Sequence, residues 1–247
     1  MRQSLQSQTS TMQQGLVRAA IAAMALIISP ARAAVKKHIP GTLDSIITAI
    51  ANMQIQDTLI HSSLYGDADV CVINFGERRY AFIAVGHNRL YTCLWQGNSF
   101  VPTDSISTDR DVIMSYRITD INGDRYDDLI LSGYGNMHGM QVDYIFTGQP
   151  AGQLVYRATP RALFNCTFNK QNGLLTSFYV GGVNSIHSKS HYRWQGIRLV
   201  PVEEWAFDME ASVLYHYVYT GQTRKLKDKQ TDGGKAWHKI EKTLIWP

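Results

Sequence analysis

Apolar positions along the chain change their period once. Over residues 42–53, Leu43, Ile46, Ile47, Ile50 and Met53 recur at three- and four-residue intervals, which predicts one short amphipathic helix. Beyond it the period shortens towards two. Residues 70–75, 80–85, 90–95 and 99–101 are short runs rich in β-branched and aromatic side chains. Gly76-Glu77-Arg78, Gly86-His87-Asn88 and Gly97-Asn98 punctuate them, which predicts short antiparallel strands joined by tight turns. No second helix is predicted. The polar segment 103–111 reads as a loop, and 227–235 as the mobile tip of a hairpin.

One hairpin pattern recurs. Tyr91-Thr-Cys-Leu-Trp95-Gln-Gly97 leads to Phe100-Val-Pro, and Tyr192-Arg-Trp194-Gln-Gly196 leads to Leu199-Val-Pro. Tyr144-Ile-Phe-Thr-Gly148 followed by Leu154-Val155, and Tyr217-Val-Tyr-Thr-Gly221 followed by Leu226, are looser copies. Each glycine is expected to supply the turn's positive φ, and the aromatics to fill the space between sheets. Repeated hairpins of this kind predict an all-β chain arranged as an irregular β-propeller-like meander, with a β-sandwich as the alternative.

The N-terminus follows a different pattern. Residues 1–33 hold Arg2, Arg18 and Arg32 and no acidic residue; an apolar run from Ala19 to Ile28 ends at Pro30, and Ala31-Arg32-Ala33 offers small residues for cleavage. That order predicts a secretory signal peptide over 1–33, with residues 34–247 as a single domain that works outside the cytoplasm. Cleavage removes three of 24 basic residues and none of the 20 acidic ones, so 21 face 20 and the alkaline pI belongs mostly to the leader. Nucleic acid is therefore not an expected partner. A local basic excess remains at Arg224, Lys225, Lys227, Lys229, Lys235, Lys239 and Lys242, read as a solvated strand edge or tail. Cys71, Cys93 and Cys166 are an odd set; Cys71 and Cys93 could pair if their strands are neighbours, or all three are core residues.

The segment carrying chemistry is Asp120-Ile-Asn122-Gly-Asp124-Arg-Tyr126-Asp-Asp128. Oxygen-bearing side chains stand at positions 1, 3, 5 and 9, and Tyr126 can offer its carbonyl at position 7. That is how one tight loop wraps Ca²⁺, which takes six to eight oxygens. Crowded carboxylates also repel unless a cation stands among them. Two positions depart from the helix-loop-helix form of such a loop. Arg125 stands where glycine is usual and is expected at positive φ, at a cost of ~1 kcal/mol. Leu131 stands where a closing glutamate is usual, so other groups must complete the shell. The flanks read as strands, which predicts a calcium loop between two strands; an Asx-rich turn without metal is the alternative.

Other constellations are weak. His187 and His191 are four apart but lie outside any predicted helix, so they read as solvent-facing. Glu203 and Glu204 adjoin, and strand neighbours face opposite ways, which makes a poor acid/base pair. Neither G-x-S-x-G nor H-E-x-x-H occurs. An enzyme is not expected.

The calcium loop by itself resembles those of FG-GAP repeats in integrin-type propellers. The leader, the glycine-turn meander, the loop and the stretch Tyr192–Val200 together resemble the calcium-binding β-propeller immunity proteins of bacteria, which are related to periplasmic lysozyme inhibitors. The resemblance implies a periplasmic protein that blocks a peptidoglycan hydrolase delivered by a rival's secretion system. Relatives are often lipoproteins, and no cysteine follows Ala33 here. The glycine-rich segment after the calcium loop is the expected contact, with Ser132, Gly133, Tyr134 and His138 as candidate residues on an edge beside the metal. A calcium-dependent carbohydrate-binding module of the cell envelope is the alternative function, with Trp95, Trp194, Trp205 and Trp237 as possible sugar platforms.

Overall fold

Alternation along each strand sets how the layers stack. The computed structural model describes residues 42–52, 58–62, 68–85, 89–108, 113–134, 140–159, 161–182 and 185–242, all within one compact unit. The signal peptide expected over 1–33 lies outside them.

The expected helix forms as α1 (Leu43–Asn52). Thr42 caps it reciprocally with Ser45: each backbone N–H reaches the other's hydroxyl, at 3.2 and 3.4 Å. Ile46, Ile47 and Ile50 form its buried stripe. They lie on the first sheet, a meander of β1 (Thr58–Ser62), β2 (Ala68–Phe75), β3 (Arg78–Val85), β4 (Arg89–Gln96) and β5 (Ser99–Ser107). Val70, Val72, Ala81, Ile83, Cys93 and Phe100 face the helix. Cys71, Ile73, Phe75, Tyr80 and Phe82 face the other way.

That second face packs on the next sheet. Here β6 (Ile113–Thr119), β7 (Asp128–Tyr134) and β8 (Gln141–Gln149) run antiparallel, with β9 (Gln153–Tyr156) and β10 (Leu163–Phe164) both paired to β8. Leu129, Leu131 and Phe146 meet Phe82 and its neighbours, whereas Ile130 and Ile145 point to the opposite face. They meet a six-stranded sheet of β11 (Thr167–Asn169), β12 (Leu174–Tyr179), β13 (Ile186–Gln195), β14 (Arg198–Asp208), β15 (Val213–Thr220) and β16 (Thr223–Thr231). A final helix, α2 (Gly234–Lys242), seats Trp237 on Phe178, Phe207 and Leu214. Because β2, β3 and β7 are buried on both faces, they read as nearly continuous apolar runs. The described residues are thus an all-β stack of three antiparallel sheets, packed face to face in chain order.

Several expectations change. Residues 103–107, expected as a loop, are the polar half of β5. The expected mobile tip is the end of β16 followed by α2, a helix that the reading missed. Cys71 and Cys93 cannot pair: β3 lies between their strands, and they face different layers. None of the three cysteines is in a disulfide, and all are buried. Gly97, Gly196 and Gly221 take the expected positive φ of 57–65°. Gly148 does not. It lies within β8 and is glycine because a Cβ would stand 1.9 Å from the Asp127 carbonyl oxygen.

Candidate functional site

The loop between β6 and β7 folds as successive Asx turns. Asp120 Oδ1 accepts the Gly123 N–H at 2.6 Å, Asn122 Oδ1 the Asp124 N–H at 2.9 Å, and Asp124 Oδ1 the Tyr126 N–H at 2.9 Å. The first of these bonds spans three residues and the next two span two, so positions 1, 3 and 5 each turn the chain. Gly123 (φ 80°) and Arg125 (φ 75°) supply the left-handed residues, as expected for Arg125. Asp128, at the foot of β7, is fully buried. Its two oxygens accept the N–H groups of Ile121 and Gly148, each at 2.8 Å, which ties both ends of the loop to β8. Ile121 is buried beneath the loop, and its carbonyl accepts the Trp194 indole N–H at 2.9 Å. The tryptophan of the recurrent hairpin is therefore a strut for this loop rather than a platform.

Burial pushes the Asp128 carboxyl up to about 6; its two backbone donors oppose the rise, and the charges of Asp124 and Asp120 add to it. Three carboxylates thus sit close enough to feel each other, with one cation nearby: Lys170 Nζ, 3.9 Å from Asp120. The donor set is all oxygen, which suits calcium. Asp120 keeps a second oxygen unengaged by the ladder. Asp124 Oδ2 instead accepts from Asn122 Nδ2 at 2.8 Å. Among the described residues no three acidic, histidine or cysteine side chains are drawn together as a metal site. A bound ion would therefore have to displace the Asn122–Asp124 bond and draw Asp120, Asn122, Asp124, the Tyr126 carbonyl and Asp128 inward.

Three of the four residues expected at a partner, Ser132, Gly133 and Tyr134, lie at the other end of β7. Asp128 and Tyr134 bound this strand, so about 20 Å separates them at ~3.3 Å per residue. The expected edge beside the metal is corrected accordingly: loop and edge sit at opposite ends of one strand. Tyr134 is 39% exposed. Gly133 is held in the ladder between Ile113 and Val142. Ser132 is buried, and its hydroxyl donates to Asp143 Oδ1 at 2.5 Å. Asp143 Oδ2 accepts the Cys166 N–H at 2.6 Å and lies 3.5 Å from Arg117, whose Nη2 also donates to the Cys166 carbonyl. Burial raises the Asp143 carboxyl, against these three partners. Ser132 thus braces the strand that presents Tyr134. His138 lies outside the described residues.

Two clusters on the third sheet escaped the reading, because they depend on register. His187 and His191 are not solvent-facing. His187 is buried against Phe207 and Trp237, and His191 is half-buried. Glu203 bridges His191 Nδ1 (3.0 Å) and His216 Nε2 (3.2 Å), and Trp205 stacks on His216 at 4.7 Å. Burial lowers the His191 pKa, and the Glu203 hydrogen bond opposes that. On the opposite face, Glu204 is 6% exposed and holds Arg161, Arg224 and Tyr219. The opposed faces of Glu203 and Glu204 were legible from strand alternation; their partners were not. Of the tryptophans, Trp95 and Trp194 pack half-buried on cores and Trp237 is buried.

No family model matches the chain, and no curated protein does. A solved structure of a Xanthomonas type IV secretion system related protein is similar to it, with 13% identity over 70% of this chain and 86% of that one, and a TM-score of 0.41.

Proposed function

We propose that this chain is a periplasmic immunity protein that binds and blocks a lysozyme-like peptidoglycan hydrolase. Tyr134 carries the reading. It is an exposed aromatic at the end of a strand buried along the rest of its length, and the Ser132–Asp143–Cys166 bonds clamp β7 directly behind it. A tyrosine presented from a fixed strand needs little further backbone ordering to bind, and tyrosine is a frequent hot-spot residue. The sequence that follows in the chain, with Gly135, His138 and Gly139, is the proposed source of backbone amides and a polar side chain for the carboxyls flanking a glycosidase's scissile bond. On this reading the three sheets are blades of an irregular propeller, the leader exports the chain, and Ca²⁺ bound by Asp120, Asn122, Asp124, Tyr126 and Asp128 stiffens the far end of β7. The test is lysis of purified cell walls by the hydrolase encoded beside this chain, titrated with the purified protein. Inhibition near one equivalent supports the reading; full lysis at a molar excess refutes it.

An open cleft favours the second reading, a calcium-dependent carbohydrate-binding module. It has a volume of about 500 Å³ between β16 and α2, lined by Trp205, His216, Asp228, Gln230 and Lys239. An aromatic edge among acceptors and donors of both kinds suits a sugar. Calorimetric titration with chitin oligosaccharides separates the two: tight sugar binding without hydrolase inhibition selects the module.

A further inference from the structure

The Glu204 cluster joins two arginines and a tyrosine to one buried carboxylate. Arg161 Nη1 donates to Glu204 Oε2 and Arg224 Nη2 to Glu204 Oε1, both at 3.0 Å, while the Tyr219 hydroxyl donates to Oε2 at 2.6 Å. The glutamate is almost fully buried; the arginine side chains remain 51% and 36% exposed. One buried carboxylate therefore fixes two guanidinium groups that still reach solvent. Burial and Glu204 raise the Tyr219 hydroxyl to about 12, so it stays a donor at any physiological pH.

The cluster extends along β15 and β16. The Arg224 guanidinium lies 3.5 Å over the Tyr217 ring, Tyr217 stacks on Tyr215 with centroids 6.1 Å apart, and Lys229 Nζ stands 5.5 Å over Tyr215. Register places Tyr215 opposite Lys229, Tyr217 opposite Leu226 and Tyr219 opposite Arg224, so these six side chains share one face. Leu226 is 55% exposed on it. Among the described residues β16 pairs only with β15 and is exposed along its whole length.

We infer that this face of β14–β16 docks an acidic protein surface, with Arg161, Arg224 and Lys229 receiving carboxylates and Tyr217 and Leu226 receiving an apolar side chain between them. Charge selects the occupant. Arg161 and Arg224 already cover Glu204, and Lys229 adds a third cation over Tyr215, so a second copy docked by the same face would meet like charge. A strand edge that merely avoids aggregation needs only lysines. This one adds stacked tyrosines and a pinned arginine, the residue types enriched in interface hot spots. Holding the guanidiniums in advance lowers the cost of ordering them on binding. The inference is independent of Tyr134, which stands on the second sheet.

Poly-L-glutamate is the probe, with phosphatidylglycerol vesicles as the competing source of negative charge. In NMR titrations of the full chain, poly-L-glutamate should shift the side-chain signals of Arg161 and Arg224 and the ring signals of Tyr217, with an affinity that falls as salt rises. Arg224→Gln with Lys229→Glu should weaken binding at least tenfold. Lys229→Glu alone, which leaves Glu204 fully paired, should weaken it severalfold. Tyr217→Leu, which keeps every charge, should also weaken it. Lys242→Glu, on α2, should leave it unchanged. Equal losses from the α2 reversal, or unshifted arginine signals, would overturn the inference. So would binding of vesicles in place of the polypeptide.

Discussion

Two buried carboxylates define the candidate site at the scale of residues, and each has a testable cost. Ser132→Ala removes a donor from a carboxylate that is almost wholly buried. Such a loss costs about 1–3 kcal/mol, so the thermal midpoint should fall by several degrees in calorimetry. Asp128 sets a pH dependence. Its folded value of about 6 lies above the ordinary carboxylate value of 3.8, so the folded state holds its proton more tightly than the unfolded chain. This group therefore favours folding most below pH ~4. That advantage is lost as pH rises towards about 6, with an upper bound of ~3 kcal/mol. Urea titrations in EDTA should show the wild type losing stability from pH 4 to 6.5 more steeply than Asp128→Asn. Parallel profiles would contradict the assignment.

At the scale of elements, β7 and β8 do most of the positioning. Gly148 shows why some of this was not legible. Its place in a Tyr-x-x-x-Gly copy suggested a turn, yet the glycine answers a contact with Asp127 twenty-one residues earlier, which no local pattern carries. Gly148→Ala should lower the midpoint markedly, because the clash is with backbone and cannot be relieved by a side-chain rotation. Helix α2 was hidden for a different reason: it follows Gly233 and begins on Gly234, and its apolar stripe is only Ala236, Trp237 and Ile240. By contrast α1, the strands 70–75 to 90–95 and the left-handed Arg125 were legible, since period and turn chemistry are local. The separation along β7 also fixes what calcium should do. Ca²⁺ should raise the midpoint, by about 2.7 kcal/mol of stability at a hundredfold excess over Kd, and Asp124→Ala should abolish most of that rise. Inhibition at 25 °C should survive the substitution within a few fold. Identical melts in Ca²⁺ and EDTA would remove the metal from the account.

At the scale of the whole molecule, the three sheets and two helices of the described residues form successive layers, each sealed by its own apolar cluster. Such a stack is stiff, and the features that could meet a partner lie at its margins: Tyr134 at the end of β7, and the tyrosine–arginine face of the last sheet. Register decides both, which is why the chain's alternation announced an all-β chain while the stacking of its sheets and the Glu203 and Glu204 clusters emerged only with the fold. The account's central claim is that Tyr134, held rigidly from behind, is what blocks a hydrolase. The direct measurement is the inhibition constant of Tyr134→Ala against the hydrolase encoded beside this chain, read from cell-wall turbidity, with the melt recorded on the same sample. An exposed side chain contributes little to folding, so the midpoint should stay within about a degree or two. The inhibition constant should rise about thirtyfold, the loss of a hot spot worth ~2 kcal/mol. An unchanged inhibition constant with an unchanged melt would contradict the claim.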